Sequence, residues 1–151
     1  MNRKIIVLLI ILTTIVSVVS VSASEELTSH DFGDFKMNIP ESSANITETQ
    51  DDANQTIYEI PNSDLSNFAT ISYVDTSNTN GNNNTPDFVL KKIKTNHTVE
   101  FKDGIYSWDA EEELGHGMHG YIVSSDDNSK VIIVTGSDIR LQDALNSIEF
   151  K

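Results

Sequence analysis

The sequence predicts an α+β fold: one small domain in which an antiparallel sheet carries two helices packed on one face. Three observations support this. Short segments alternate apolar and polar residues with a period of two, as in Phe35, Met37 and Ile39 against Lys36 and Asn38. Turn formers separate such segments, most clearly Asp103-Gly104 and the run Ser125 to Ser129. Two other stretches carry apolar residues at helical spacing, one after Thr85-Pro86-Asp87 and one through Leu141, Leu145 and Ile148.

Residues 1–23 read as an export signal: Arg3 and Lys4, an uncharged run from Ile5 to Val21, and small residues Val21-Ser22-Ala23 before Ser24. Residues 5–21 would span about 25 Å as a helix, slightly less than the roughly 30 Å hydrocarbon core, so retention as an N-terminal membrane anchor is the rival reading. Both place the rest of the chain outside the cytoplasm, secreted or at the cell surface. No cysteine follows the run, which excludes lipoprotein attachment.

Residues 24–29 are polar and read as a short tether, leaving 30–151 as the globular domain. Phe32 to Pro40 reads as a half-buried strand ended by Pro40. Ile46 to Thr49 and Thr56 to Ile60 read as strands flanking the turn Asp51-Asp52-Ala53-Asn54, and Phe68 to Val74 as a central strand. Asp75 to Asn84 has no apolar residue and reads as a loop. Thr85 is placed as N-cap and Pro86 at the first helical position, with Phe88, Val89, Leu90 and Ile93 as the apolar face and an end near Asn96. The strands Thr98 to Lys102 and Ile105 to Ala110 pair across Asp103-Gly104. Tyr121 to Ser124 and Lys130 to Val134 form a second hairpin, with Val131 to Val134 at the sheet centre. Gly136-Ser137-Asp138 opens a final helix, with Ser137 or Asp138 as its cap.

This order, with the leader, the strand ending Ile39-Pro40, the helix from Pro86 and the ending Ser147-Ile148-Glu149-Phe150, resembles small uncharacterised exported proteins of methanogenic archaea and the PsbP-like arrangement of sheet and helices. The resemblance implies a fold and a surface location. It carries over no catalytic residue.

The chain is strongly acidic, with 23 Asp and Glu against 10 Lys and Arg and a net charge of −13. Two of the ten bases lie in the leader, which leaves 8 against 23, a net −15 for the exported part. Such a field repels phosphate backbones, so the expected partner is a cell-surface or envelope component and not nucleic acid; the membrane is touched only through the leader, if it is retained. The absence of cysteine removes disulfides, thiol catalysis and Cys-based zinc sites. Asn45, Asn54, Asn83 and Asn96 open Asn-x-Ser/Thr triplets and are candidate glycan acceptors, Asn83 foremost.

His116-Gly117-Met118-His119 is the stretch with metal-ligand chemistry, since two imidazoles with the Met118 thioether suit copper and imidazoles with Glu111 to Glu113 suit zinc or another divalent ion. The bland reading of the same residues is a Gly-flexed loop or bulge. Asp126-Asp127-Asn128 and Asp51-Asp52-Ala53-Asn54 lack the spacing of a calcium loop and read as turns. Trp108 and Tyr106 read as core, with a sugar platform as the alternative. There is no Gly-x-Ser-x-Gly elbow, phosphate loop or dinucleotide fingerprint. The expected function is therefore non-enzymatic: binding or envelope association, with a copper or zinc module as the alternative and a hydrolase on envelope polymers third.

Overall fold

The computed structural model describes residues 25–43, 45–52, 55–62, 66–76 and 86–151. The leader, most of the Asn/Thr loop, the cap Thr85 and the sequon residues Asn54 and Asn83 lie outside the described residues. Among the described residues no helix is long and apolar enough to cross a membrane.

The strands are β1 (Leu27–Asp31), β2 (Phe35–Pro40), β3 (Thr47–Asp52), β4 (Gln55–Pro61), β5 (Asn67–Asp75), β6 (Glu100–Lys102), β7 (Ile105–Asp109), β8 (His119–Ser124), β9 (Lys130–Gly136) and β10 (Glu149–Phe150). Three short helices are interspersed: α1 (Pro86–Asn96), α2 (Glu111–Leu114) and α3 (Leu141–Asn146). Seven strands form one antiparallel sheet in the order β3-β4-β5-β9-β8-β7-β6, and three form a second in the order β1-β2-β10. β9 is the fourth of seven, so Val131 to Val134 do lie at the sheet centre.

The predicted α+β class, one sheet with two helices on one face, is therefore wrong. The described fold is mostly β, with two sheets, and α1 and α3 sit on opposite faces of the larger one. The register explains why. Tyr73 pairs with Ile132 and Val74 with Val131, so alternate residues of β5 and β9 point to opposite sides. Tyr73 and Ile132 belong to a large core built with Phe35, Met37 and Ile39 of β2 and with Leu141, Ala144 and Leu145 of α3. Val74 and Val131 belong to a smaller core closed by Leu90 and Ile93 of α1. The apolar stripe of each helix was legible, whereas the face it would cover was not.

Two further differences follow from local chemistry. The stretch read as a tether contains the start of β1, whose residues Thr28 to Asp31 are all exposed. An edge strand is held by its backbone pairs to β2, Leu27 with Pro40 through Asp31 with Lys36, and needs no apolar alternation. The last helix stops at Asn146 instead of carrying its stripe to Ile148. Ser147 Oγ donates to the Ala144 carbonyl at 2.6 Å and accepts the Asn38 amide of β2 at 2.7 Å, which ends the helix and turns the chain into β10.

Within the large core, Phe35, Met37, Ile60, Phe68 and Ile71 are fully buried, each contributing about 1.5–3 kcal/mol through the apolar surface it removes from water. Phe32 stacks on Phe35 at 4.7 Å and meets Tyr58 edge-on at 5.0 Å, joining the two sheets through ring contacts. Arg140 then fastens the start of α3. Its guanidinium bonds Asp138 at 2.7 Å, the Glu25 carbonyl at 2.9 Å and Asn62 Oδ1 at 3.0 Å, while lying 5.5 Å from the Phe68 ring centre.

Candidate functional site

Among the clefts on the described surface, three bear on the site. One, of about 430 Å³, lies at the mouth between the sheets, lined by residues that include Asp31, Phe32, Ser43 and Tyr58. Several of its polar groups are spent on the fold: Asp31 bonds Lys151 and the Gly33 amide, Ser43 Oγ donates to the Pro61 carbonyl, and Tyr58 Oη donates to the Phe32 carbonyl. The second, of about 410 Å³, lies over β6, β7 and β8 and includes Glu100, Asp109, His119 and Tyr121. There Asp109 is committed too, because its Oδ1 accepts the Glu111 amide at 2.9 Å just ahead of α2.

The third cleft, of about 360 Å³, lies between α1, the β6–β7 hairpin and the β8–β9 turn. The hairpin turn is built by Asp103 and Gly104, both at positive φ (51° and 84°), the conformation that a two-residue hairpin loop requires. That turn sets Phe101 directly opposite Tyr106. Their ring centres are 4.5 Å apart at 36°, and Phe101 stays 62% exposed. Leu90 and Ile122 supply an apolar floor, and Asp87, Asp126 and Asn128 line the rim. Lys94, one helical turn beyond Leu90, places its ammonium 5.6 Å from the Tyr106 ring centre.

The β8–β9 turn holds its side of the cleft rigidly. Asp127 accepts from Ser125 Oγ at 2.7 Å, Ser129 N at 3.0 Å and Ser129 Oγ at 2.8 Å, and these bonds lower its pKa to about 2. Asn128 takes the left-handed conformation (φ 56°), and its carbonyl accepts from Thr76 Oγ1 at 2.9 Å. Asp126 is left free of these bonds. In this turn the carboxylate of Asp127 does the work of a cap, as the sequence led us to expect of an ordinary turn.

The residues singled out for metal chemistry are placed apart from this cleft. His116 sits on an exposed turn between Gly115 and Gly117, where its Nδ1 pairs with the Glu111 carboxylate; that contact raises the imidazole pKa above its ordinary value. Met118 is half-buried, and its carbonyl accepts the Ala110 amide. His119 has already entered β8, opposite Asp109 on one side and Gly136 on the other. A second imidazole pair, His97 with Glu113 at 3.3 Å, lies on the other side of α2. Each pair supplies two donors, and among the described residues no group of three or more His, Asp or Glu is arranged to hold a metal ion. Of the glycan acceptors, Asn45 is exposed in a turn and Asn96 is exposed at the end of α1.

Trp108 belongs to the smaller core, packed over Gly120, and Tyr106 borders the same core while lining the third cleft. Phe101 and Asp87 were not singled out as site residues by the sequence, and Asp126 and Asn128 were weighed there only for calcium and read as a turn. The available signal was that Asp103-Gly104 forces Phe101 and Tyr106 opposite one another on a three-residue edge strand. Comparison of the chain with protein-family models, with curated proteins and with solved structures finds no match.

Proposed function

We propose that this is an acidic extracytoplasmic binding domain, associated with the cell surface or envelope, which captures a small ligand in the cleft between α1 and the β6–β7 hairpin and catalyses no reaction. One observation carries the reading: Phe101 remains exposed beside Tyr106 in a concave site whose rim carboxylates are not consumed by the fold. Concave sites with an apolar floor and a few polar groups are where small ligands bind. The extracytoplasmic setting rests on residues 1–23 and on the net charge of −13.

The test is a fragment screen read by amide chemical shifts of the whole protein. The reading expects saturable shifts concentrated at Phe101, Gly104, Tyr106 and Asn128, and substantial loss of them in Phe101→Ala. Hits confined to the other two clefts, or turnover of a fragment abolished by one substitution, would overturn it. Mass spectrometry of the native protein tests the setting: an N-terminus at Ser24, or intact Met1 in the membrane fraction, supports export. Intact Met1 in the cytoplasm removes it.

A further inference from the structure

We infer that the ligand of this cleft is a small organic cation, an alkylammonium carrying a short apolar chain. The inference rests on the cleft reading above and adds the charge and shape of the occupant. Asp87 and Asp126 line the rim, and among the described residues neither carboxylate has a hydrogen bond or ion pair. Two such carboxylates in a chain of net charge −13 attract cations and exclude anions. Charge alone does not define the ligand, because any cation would answer it.

The walls narrow the choice. Phe101 and Tyr106 present electron-rich ring faces, which attract ammonium groups, and Lys94, with its nitrogen 5.6 Å from the Tyr106 ring centre, is the chain's own instance of that attraction. Leu90 and Ile122 form a floor that an alkyl chain can cover and that a hydrated inorganic ion cannot. A divalent metal would require more oxygen donors, and no arranged group of three is found among the described residues. About 360 Å³ suits a molecule of several heavy atoms. Lys94 enters as a modulator: its positive charge beside Tyr106 opposes a second cation, so its removal should strengthen binding.

The experiment is an amide-shift titration of the full-length protein with n-butylammonium chloride, n-butanol as the uncharged isostere and methyl glucoside. Butylammonium is expected to shift Phe101, Gly104, Tyr106 and Asn128 saturably, at least about tenfold more tightly than butanol, with an affinity that falls as salt is added. Asp87→Asn combined with Asp126→Asn should erase that preference. Lys94→Met should tighten butylammonium severalfold. The substituted side chains are exposed, and unchanged amide positions for Val131 and Ile132 would verify that each variant is folded. Equal affinity for butanol and butylammonium, or a response to the glucoside alone, would overturn the cationic ligand and leave the cleft reading standing. No response at these amides to any probe would overturn both, and so would a butylammonium response that all variants share unchanged, because it would not come from this cleft.

Discussion

Gly120 and Trp108 face one another across β7 and β8, and the contact leaves no room for a side chain: a Cβ at position 120 would lie 2.1 Å from Trp108 Cζ2 and 2.2 Å from Cε2. The indole can yield only by leaving its place over the smaller core. Gly120→Ala should therefore destabilise the protein by about 1–3 kcal/mol, the usual cost of overpacking. Because Trp108 is the sole tryptophan, its emission reports this displacement alone, and a red shift should accompany the lower denaturation midpoint. An unchanged midpoint with unchanged emission would show that the ring does not pack there. Gly136 is a harder case. A Cβ there meets the Phe68 carbonyl oxygen at 2.7 Å, and backbone cannot swing aside as a ring can, so Gly136→Ala should cost more than Gly120→Ala in the same assay.

Elements are fixed here by turns as much as by apolar faces. In the β8–β9 turn the Asp127 carboxylate accepts three bonds from Ser125 and Ser129, so Asp127→Ala should speed hydrogen exchange at Ser129 and Lys130 while leaving Val131 and Ile132 protected. With a pKa of about 2 the wild-type turn should keep its protection, measured relative to an unstructured peptide at the same pH, until the pH approaches that value. Uniform acceleration along β9 would show instead that the whole hairpin depends on the turn. Such turns are why the hairpins were legible: Asp103-Gly104 and Ser125 to Ser129 specify their own geometry. The central position of β9 was legible from its apolar run. The second sheet was not, because β1 is polar throughout its exposed part and β10 has only two residues, so both are defined by pairing with β2. The end of α3 was hidden for a related reason, since the signal lies in a bond from Ser147 to a strand more than a hundred residues earlier. The candidate site was half legible. The turn that pairs Phe101 with Tyr106 could be read, but the approach of Asp87 and Asp126 depends on where α1 and the β8–β9 turn pack.

For the whole molecule, a net charge of −13 on 151 residues means that self-repulsion opposes the compact state at neutral pH. Added salt should therefore raise the melting temperature at pH 7, most steeply at low ionic strength where screening changes fastest; a flat response would show the charges to be too dispersed to matter. Acid acts through a different group. Asp138 is held below the ordinary carboxylate pKa of 3.8, first by its hydrogen bonds to Arg140, with the Arg140 amide, the guanidinium charge and Asn62 adding to the effect against the cost of burial. A carboxylate whose folded pKa is depressed contributes stability that is complete above its unfolded value and is lost as pH falls through the folded one. Asp31 and Asp127 shift in the same direction but are exposed to solvent, whereas Asp138 is largely covered, so Asp138 should dominate. The clamp of Arg140 on Asp138, Asn62 and the Glu25 carbonyl should then release below pH 3.8, freeing the start of α3 from β4 and from the chain entering β1. Arg140→Leu should cost about 2 kcal/mol at pH 7, as expected for lost hydrogen bonds to a charged group, and should flatten the fall in melting temperature between pH 4 and pH 2. Asp138→Asn should flatten it as well. If both variants lose stability in acid as steeply as the wild type, the clamp is not what acid breaks.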